Sequence, residues 1–177
     1  MGATRTAIEE AVAYLTEHPG EAAYTDSAAT ARLESGLRVV TTGPGDESVA
    51  TDMVAAVGGG GTAPSPGWLL RAATASCVAT LVAMRAEMLG IALSGLDVTV
   101  DSRSDDRGIL GLDASVPPGP LTARVIVRAT SLDATREELD GLVRWAVDHC
   151  PVTDALRRAI PLTVEVRLRA LPTQEGA

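Results

Sequence analysis

Phenylalanine is absent from the 177 residues, and the aromatic set is only Tyr14, Tyr24, Trp68 and Trp145. The stacking platforms that hold single-stranded bases are therefore missing. Positive charge is also short, since 15 basic residues against 23 acidic ones leave a net charge of −8. Nucleic acid or an anionic membrane would meet repulsion, and no local basic patch offsets it. Neither is an expected partner. Long apolar runs are lacking as well: the longest uncharged apolar stretch, residues 72–84, has 13 residues, against the ~17–25 that cross a bilayer. Glu9 and Glu10 stand where a signal peptide would need its apolar centre, so the expected location is cytoplasmic.

Cysteine is scarce too. Cys77 and Cys150 are the two present, and neither belongs to a CxxC unit. A structural disulfide is not expected in a reducing cytosol, which leaves inert filling or redox chemistry. With His18 and His149 the cysteines could number four ligands, but His149 and Cys150 are adjacent and the spacing fits no zinc pattern. A Gly-x-Ser-x-Gly elbow is missing, which removes the usual support for a serine triad. No metal and no cofactor is expected.

What is present reads as one domain with decorated ends. Residues 1–20 carry Ile8, Val12 and Leu15 at helical spacing and stop at Pro19-Gly20, predicting an N-terminal helical extension. The main domain spans residues 21–171, and a loose tail covers 172–177. Short strands are predicted over residues 29–33, 37–41 and 48–53, with a Ser35-Gly36 turn between the first two. The tetraglycine at 58–61 lacks the Lys-Ser/Thr ending of a phosphate loop and reads as a hinge or close-approach loop. Ser65-Pro66 is a helix start, Gly90 a helix stop, and the residues between 71 and 85 are apolar or small on every side. Such a helix is expected to be surrounded by protein.

Alternation predicts strands over residues 96–101, 121–130 and 162–168, with helices over 134–147 and 151–158. Strands grouped around helices, without strict alternation, indicate an α+β fold.

For Cys77, in the middle of the long helix, the composition-based reading is a small buried hydrophobe. Cys150 precedes Pro151 at a helix N-terminus, where free N–H groups favour either a thiolate or a simple polar cap.

The segment Pro64-Ser65-Pro66-Gly67-Trp68-Leu69-Leu70-Arg71-Ala72-Ala73-Thr74-Ala75-Ser76-Cys77 resembles the Pro-initiated cysteine helix of the OsmC/Ohr family of thiol-dependent peroxide-defence proteins. His149-Cys150-Pro151-Val152-Thr153-Asp154-Ala155-Leu156 is similar to that family's second-cysteine motif, 150 − 77 = 73 residues later. The resemblance covers residues 28–169. It implies an intertwined homodimer in which long buried central helices pack with antiparallel β-sheets. It also implies reduction of organic hydroperoxides: the residue matching Cys77 is oxidised to a sulfenic acid, the one matching Cys150 closes a disulfide, and a thiol reductant restores both.

Family peroxidases pair the first cysteine with an arginine held by a glutamate at the helix start. Here Gly67 takes the glutamate's place, Arg38 is the candidate arginine with Arg32 next, and Arg71 lies six positions from Cys77. A mid-helix buried thiol without a cation stays protonated, so local physics favours Cys150 as the nucleophile while the resemblance favours Cys77. Trp68, Leu81 and Met84, with Val78, are the candidate substrate lining. The alternatives are a small-molecule binding or redox-sensing protein of the same fold with little turnover, and a scaffold with passive cysteines.

Overall fold

The computed structural model describes residues 2–169, so the tail expected at 172–177 lies outside the described residues. The long helix forms where its signals predict. α2 (Pro66–Leu89) begins with Ser65 accepting the Trp68 N–H at its side chain and Pro66 at the first position. It ends at Gly90, whose φ of 72° only glycine adopts freely, and the Ile91 N–H returns to the Ala86 carbonyl.

Before it come α1 (Ala3–Glu17) and three strands, β1 (Thr30–Ser35), β2 (Arg38–Thr42) and β3 (Ser48–Thr51), in a meander of order β1-β2-β3, all antiparallel. After it come β4 (Leu93–Arg103), a single turn α3 (Asp106–Ile109) that the alternation pattern does not announce, β5 (Thr122–Ser131), α4 (Arg136–Asp148) and α5 (Pro151–Arg157). β4 and β5 form a two-stranded antiparallel sheet whose register sets Val98 opposite Val127 and Asp101 opposite Arg124. The Asp101–Arg124 ion pair lies across the strands. The fold class is α+β with small antiparallel sheets, as expected.

The core lies between α2 and α4. Thr74, Val78, Val82 and Ala86, spaced four apart on α2, are buried, and the Thr74 hydroxyl is satisfied by the Leu70 carbonyl at 2.8 Å. Leu142 and Ala146 of α4 and Cys150 just beyond it meet this stripe, and Leu96, Val98, Val125 and Val127 of the sheet pack behind. α4 is anchored by a reciprocal capping box between Thr135 and Glu138. α1 rests on the last turns of α2, with Ile8 and Val12 beside Met88.

Two expectations are revised. α2 is not enclosed on all sides within this chain: one face is buried, while Trp68, Leu70 and Leu89 remain exposed. By length and composition it could cross a membrane, yet its buried stripe is spent on α4 and the sheet. Residues 162–168 keep their alternation but form no strand, because no edge is hydrogen-bonded to them among the described residues; Leu162, Val164, Val166 and Leu168 are 68–90% exposed.

Candidate active site

Cys77 occupies the middle of α2, one position before the buried Val78. It is half-buried and packs against the core cluster that contains Cys150. Cys150 lies at the sharp corner between α4 and α5. His149 closes α4 and Pro151 opens α5, so Cys150 is the N-cap of the second helix. Its side chain is fully buried. Thr153 ties the corner down, donating its hydroxyl to the Val147 carbonyl at 2.6 Å and to the Cys150 carbonyl at 3.0 Å. The sequence did not single out Thr153; a hydroxyl three positions after the N-cap residue Cys150 is the signal that would find it.

The two thiols, distant in the chain, share this cluster and shift each other in opposite directions. Burial pushes the Cys77 thiol above its ordinary 9.0, the Cys150 side chain adds to the rise, and the Val152 N–H offsets only part of it. Burial pushes Cys150 up as well, but the Thr153 N–H, the Cys77 thiol, the Thr153 hydroxyl and the Val152 N–H outweigh it, leaving Cys150 below 9.0. The neutral Cys150 thiol closes no cap hydrogen bond; the nearby N–H groups favour its thiolate. The pair is therefore split in direction, Cys77 above and Cys150 below the ordinary thiol value.

A cavity of about 570 Å³ lies between the β4–β5 sheet and α4–α5, lined by Val100, Val125, Val143 and Val147 and by Thr74 and Thr153. Each of those threonines is three positions from a cysteine.

The OsmC-like protein family model matches residues 58–165, more than half of the chain. The chain belongs to the OsmC-like family. Solved structures of OsmC-like proteins share its fold. The OsmC-like protein of Mycoplasma pneumoniae superposes with a TM-score of 0.66 at 13% identity, covering 77% of this chain and 91% of that one. The organic hydroperoxide resistance protein OsmC of Legionella pneumophila gives 0.57 at 21%, covering 76% and 91%. The organic hydroperoxide resistance protein OhrB of Bacillus subtilis gives 0.52 at 23%, covering 77% and 94%. No curated protein sequence matches the chain.

Within this OsmC-like chain the other candidate residues are distributed as follows. Leu81 and Met84, four and seven positions after Cys77, lie within about 40° of it around the helix, and Trp68, nine positions before, lies on the opposite face. Trp68 is 49% exposed, Met84 is half-buried, and Leu81 packs on the core. Arg38 sits on the N-terminal sheet, where its Nε donates to Glu34 at 2.6 Å and its Nη1 to the Thr62 hydroxyl at 3.0 Å. Arg71 donates to the Ser102 hydroxyl at 3.2 Å. No arginine figures among the groups that shift either thiol. His149 turns away onto Trp145, with ring centroids 4.1 Å apart and its Nδ1 2.7 Å from the Trp145 carbonyl.

Spacing alone did not reveal the polar knot that sets the entry to α2. Asp52, buried, accepts the N–H groups of Met53, Gly60 and Thr62 and the Thr62 hydroxyl, and these bonds hold its carboxyl below the usual 3.8. Gly59 is required there, since a Cβ would fall 1.9 Å from the Met53 carbonyl oxygen. The close-approach reading of the tetraglycine is the one the backbone adopts.

Proposed function

We propose that this OsmC-like chain is a cytoplasmic, thiol-dependent peroxidase that reduces organic hydroperoxides through Cys77 and Cys150 and works as a homodimer. The observation that carries the reading is the packing of Cys77 against the buried cluster that contains Cys150, which brings two cysteines 73 residues apart into one site. Exposure assigns the first step to Cys77, because Cys150 is fully buried. The Cys77 sulfur loses its proton and attacks the distal peroxide oxygen as a thiolate, and the O–O bond breaks. A proton from solvent reaches the departing alkoxide, so the products are a sulfenic acid and an alcohol. The Cys150 thiolate then attacks that sulfur, closing a disulfide and expelling hydroxide, which solvent protonates. Two equivalents of a thiol reductant return both cysteines to their starting state.

The cavity beside Thr74 and Thr153, with valine walls and Arg157 among its lining, suits the organic part of such a substrate. Leu81 and Met84, on the Cys77 face, and Trp68 are proposed to contribute lining. Arg38 is the proposed activating cation and would have to leave Thr62 to serve the thiol pair. The homodimer is supported by the open side of α2 and by the unpaired apolar ribbon at 162–168. Such a row is what a sheet edge on another copy would cover.

A second reading, redox sensing or small-molecule binding with little turnover, is favoured by Gly67 at the family glutamate's place and by the raised Cys77 thiol. Stopped-flow oxidation of the reduced protein by cumene hydroperoxide separates the two. The peroxidase reading expects rapid loss of both thiols and one intramolecular disulfide, a rate at least ~10³-fold lower in Cys77→Ser, and a stalled sulfenic acid in Cys150→Ser. Thiols that persist in excess oxidant would overturn it.

A further inference from the structure

Two turns beyond Cys77 on α2, the guanidinium of Arg85 lies over the indole of Trp145 on α4, 4.6 Å from the ring centroid. The side chain is half-buried, and its Nε–H is shut away from solvent with no hydrogen-bond partner. The other half-buried arginines are engaged: Arg5 with Glu9, Arg38 with Glu34 and Thr62, Arg71 with Ser102. The π face answers part of the charge, but it offers no acceptor to the in-plane N–H groups. Native interiors leave few such donors unsatisfied.

Arg85 also forms one wall of a cavity of about 440 Å³, within the range of small-molecule sites, whose other walls are Leu89, Ile91, Leu142, Trp145, Gly141 and Glu138. Gly141 leaves open space, with nothing within 4 Å of where a Cβ would stand. Glu138 forms no ion pair with the guanidinium among the described residues; its carboxylate accepts the Thr135 N–H at 2.7 Å and the Thr135 hydroxyl at 2.8 Å.

We propose that this cavity binds a small organic carboxylate, its anionic end on Arg85 and its aromatic or short aliphatic body against Leu89, Ile91, Leu142 and Trp145. The planar guanidinium fork matches a carboxylate. Inorganic phosphate or sulfate would surrender its hydration to hydrocarbon walls, and a neutral molecule would leave Arg85 unanswered. The Glu138 charge weakens the site without filling it. Arg85 is 85 − 77 = 8 residues from Cys77, about 12 Å along the helix, too far to bond the thiol. The site therefore stands apart from the peroxide chemistry.

The test titrates the full-length protein with phenylacetate by calorimetry and by Trp145 fluorescence in a Trp68→Phe background, with phenylacetamide as the uncharged isostere. Phenylacetate is expected to bind saturably and phenylacetamide about tenfold or more weakly. Arg85→Gln is expected to abolish binding and Glu138→Gln to tighten it. The amide comparison and Glu138→Gln keep the test open should Arg85→Gln fail to fold. No saturable signal up to about 10 mM phenylacetate, equal binding of acid and amide, or undiminished binding in a folded Arg85→Gln would overturn the proposal. The first result is also what a second copy seated on the cavity would give.

Discussion

The knot around Asp52 and the corner around Cys150 are both buried polar centres, built on opposite terms. In the knot every group has a partner: the carboxylate receives four donors, and the Thr62 hydroxyl that gives it one also receives Arg38. Nothing reactive is left over. At the corner two thiols have mainly each other and a few N–H groups, and one is pushed up while the other is drawn down. The contrast separates placing from reacting. Satisfied bonds fix where α2 begins, whereas an incompletely satisfied pair retains the free energy that chemistry can use.

The corner is the place to strike hardest. Thr153→Val leaves the Val147 carbonyl without its hydroxyl donor and is expected to cost about 1–3 kcal/mol in denaturant unfolding. The same change removes a group that favours the Cys150 thiolate, so thiolate absorbance should titrate at higher pH. An unchanged titration would mean that the hydroxyl only braces the corner.

Gly67→Glu should move stability the other way by about 1 kcal/mol, since glycine is a poor helix former and an acid suits the first turn. There is room for it: the nearest atoms to a Cβ there are Arg71 Nη1 and Ser65 Oγ, both at 3.9 Å. A melting temperature that falls would show that the departure from the family glutamate serves packing.

The smallest effect is expected at Asp52, and it should be present at neutral pH and vanish in acid. Its carboxyl is depressed in the folded state, so its contribution is present above 3.8 and is lost as pH falls below that value. Asp52→Asn should lack this component. The gap in melting temperature between wild type and variant is expected to close below pH 3.8, and a constant gap would place the effect in shape and not in charge.

Much of the frame was legible because its signals are local. Ser65-Pro66 and Gly90 bound α2 as read, and the early strands lie within two residues of their expected places. Cys150 does precede a helix opened by Pro151. The final strand was not legible in the same way: alternation at Leu162, Val164, Val166 and Leu168 describes a side-chain pattern, while a strand also needs a neighbouring edge. The enclosure expected of α2 failed for a related reason, since apolar residues all round tell that a surface wants covering and not which chain covers it. The meeting of Cys77 with Cys150 came from resemblance, because no spacing rule links a mid-helix residue to a corner 73 positions on. Arg85 over Trp145 carried no signal at all, being a product of how α2 and α4 cross.

The short link from α4 to α5 has a consequence beyond chemistry. A bond closed between Cys77 and Cys150 would tie the central helix to that hinge and enclose a loop of 73 residues, removing enough freedom from the unfolded chain to add about 4 kcal/mol of resistance to unfolding. Redox state would then be written into toughness, and a thermal melt with and without reductant would read it as two separate transitions.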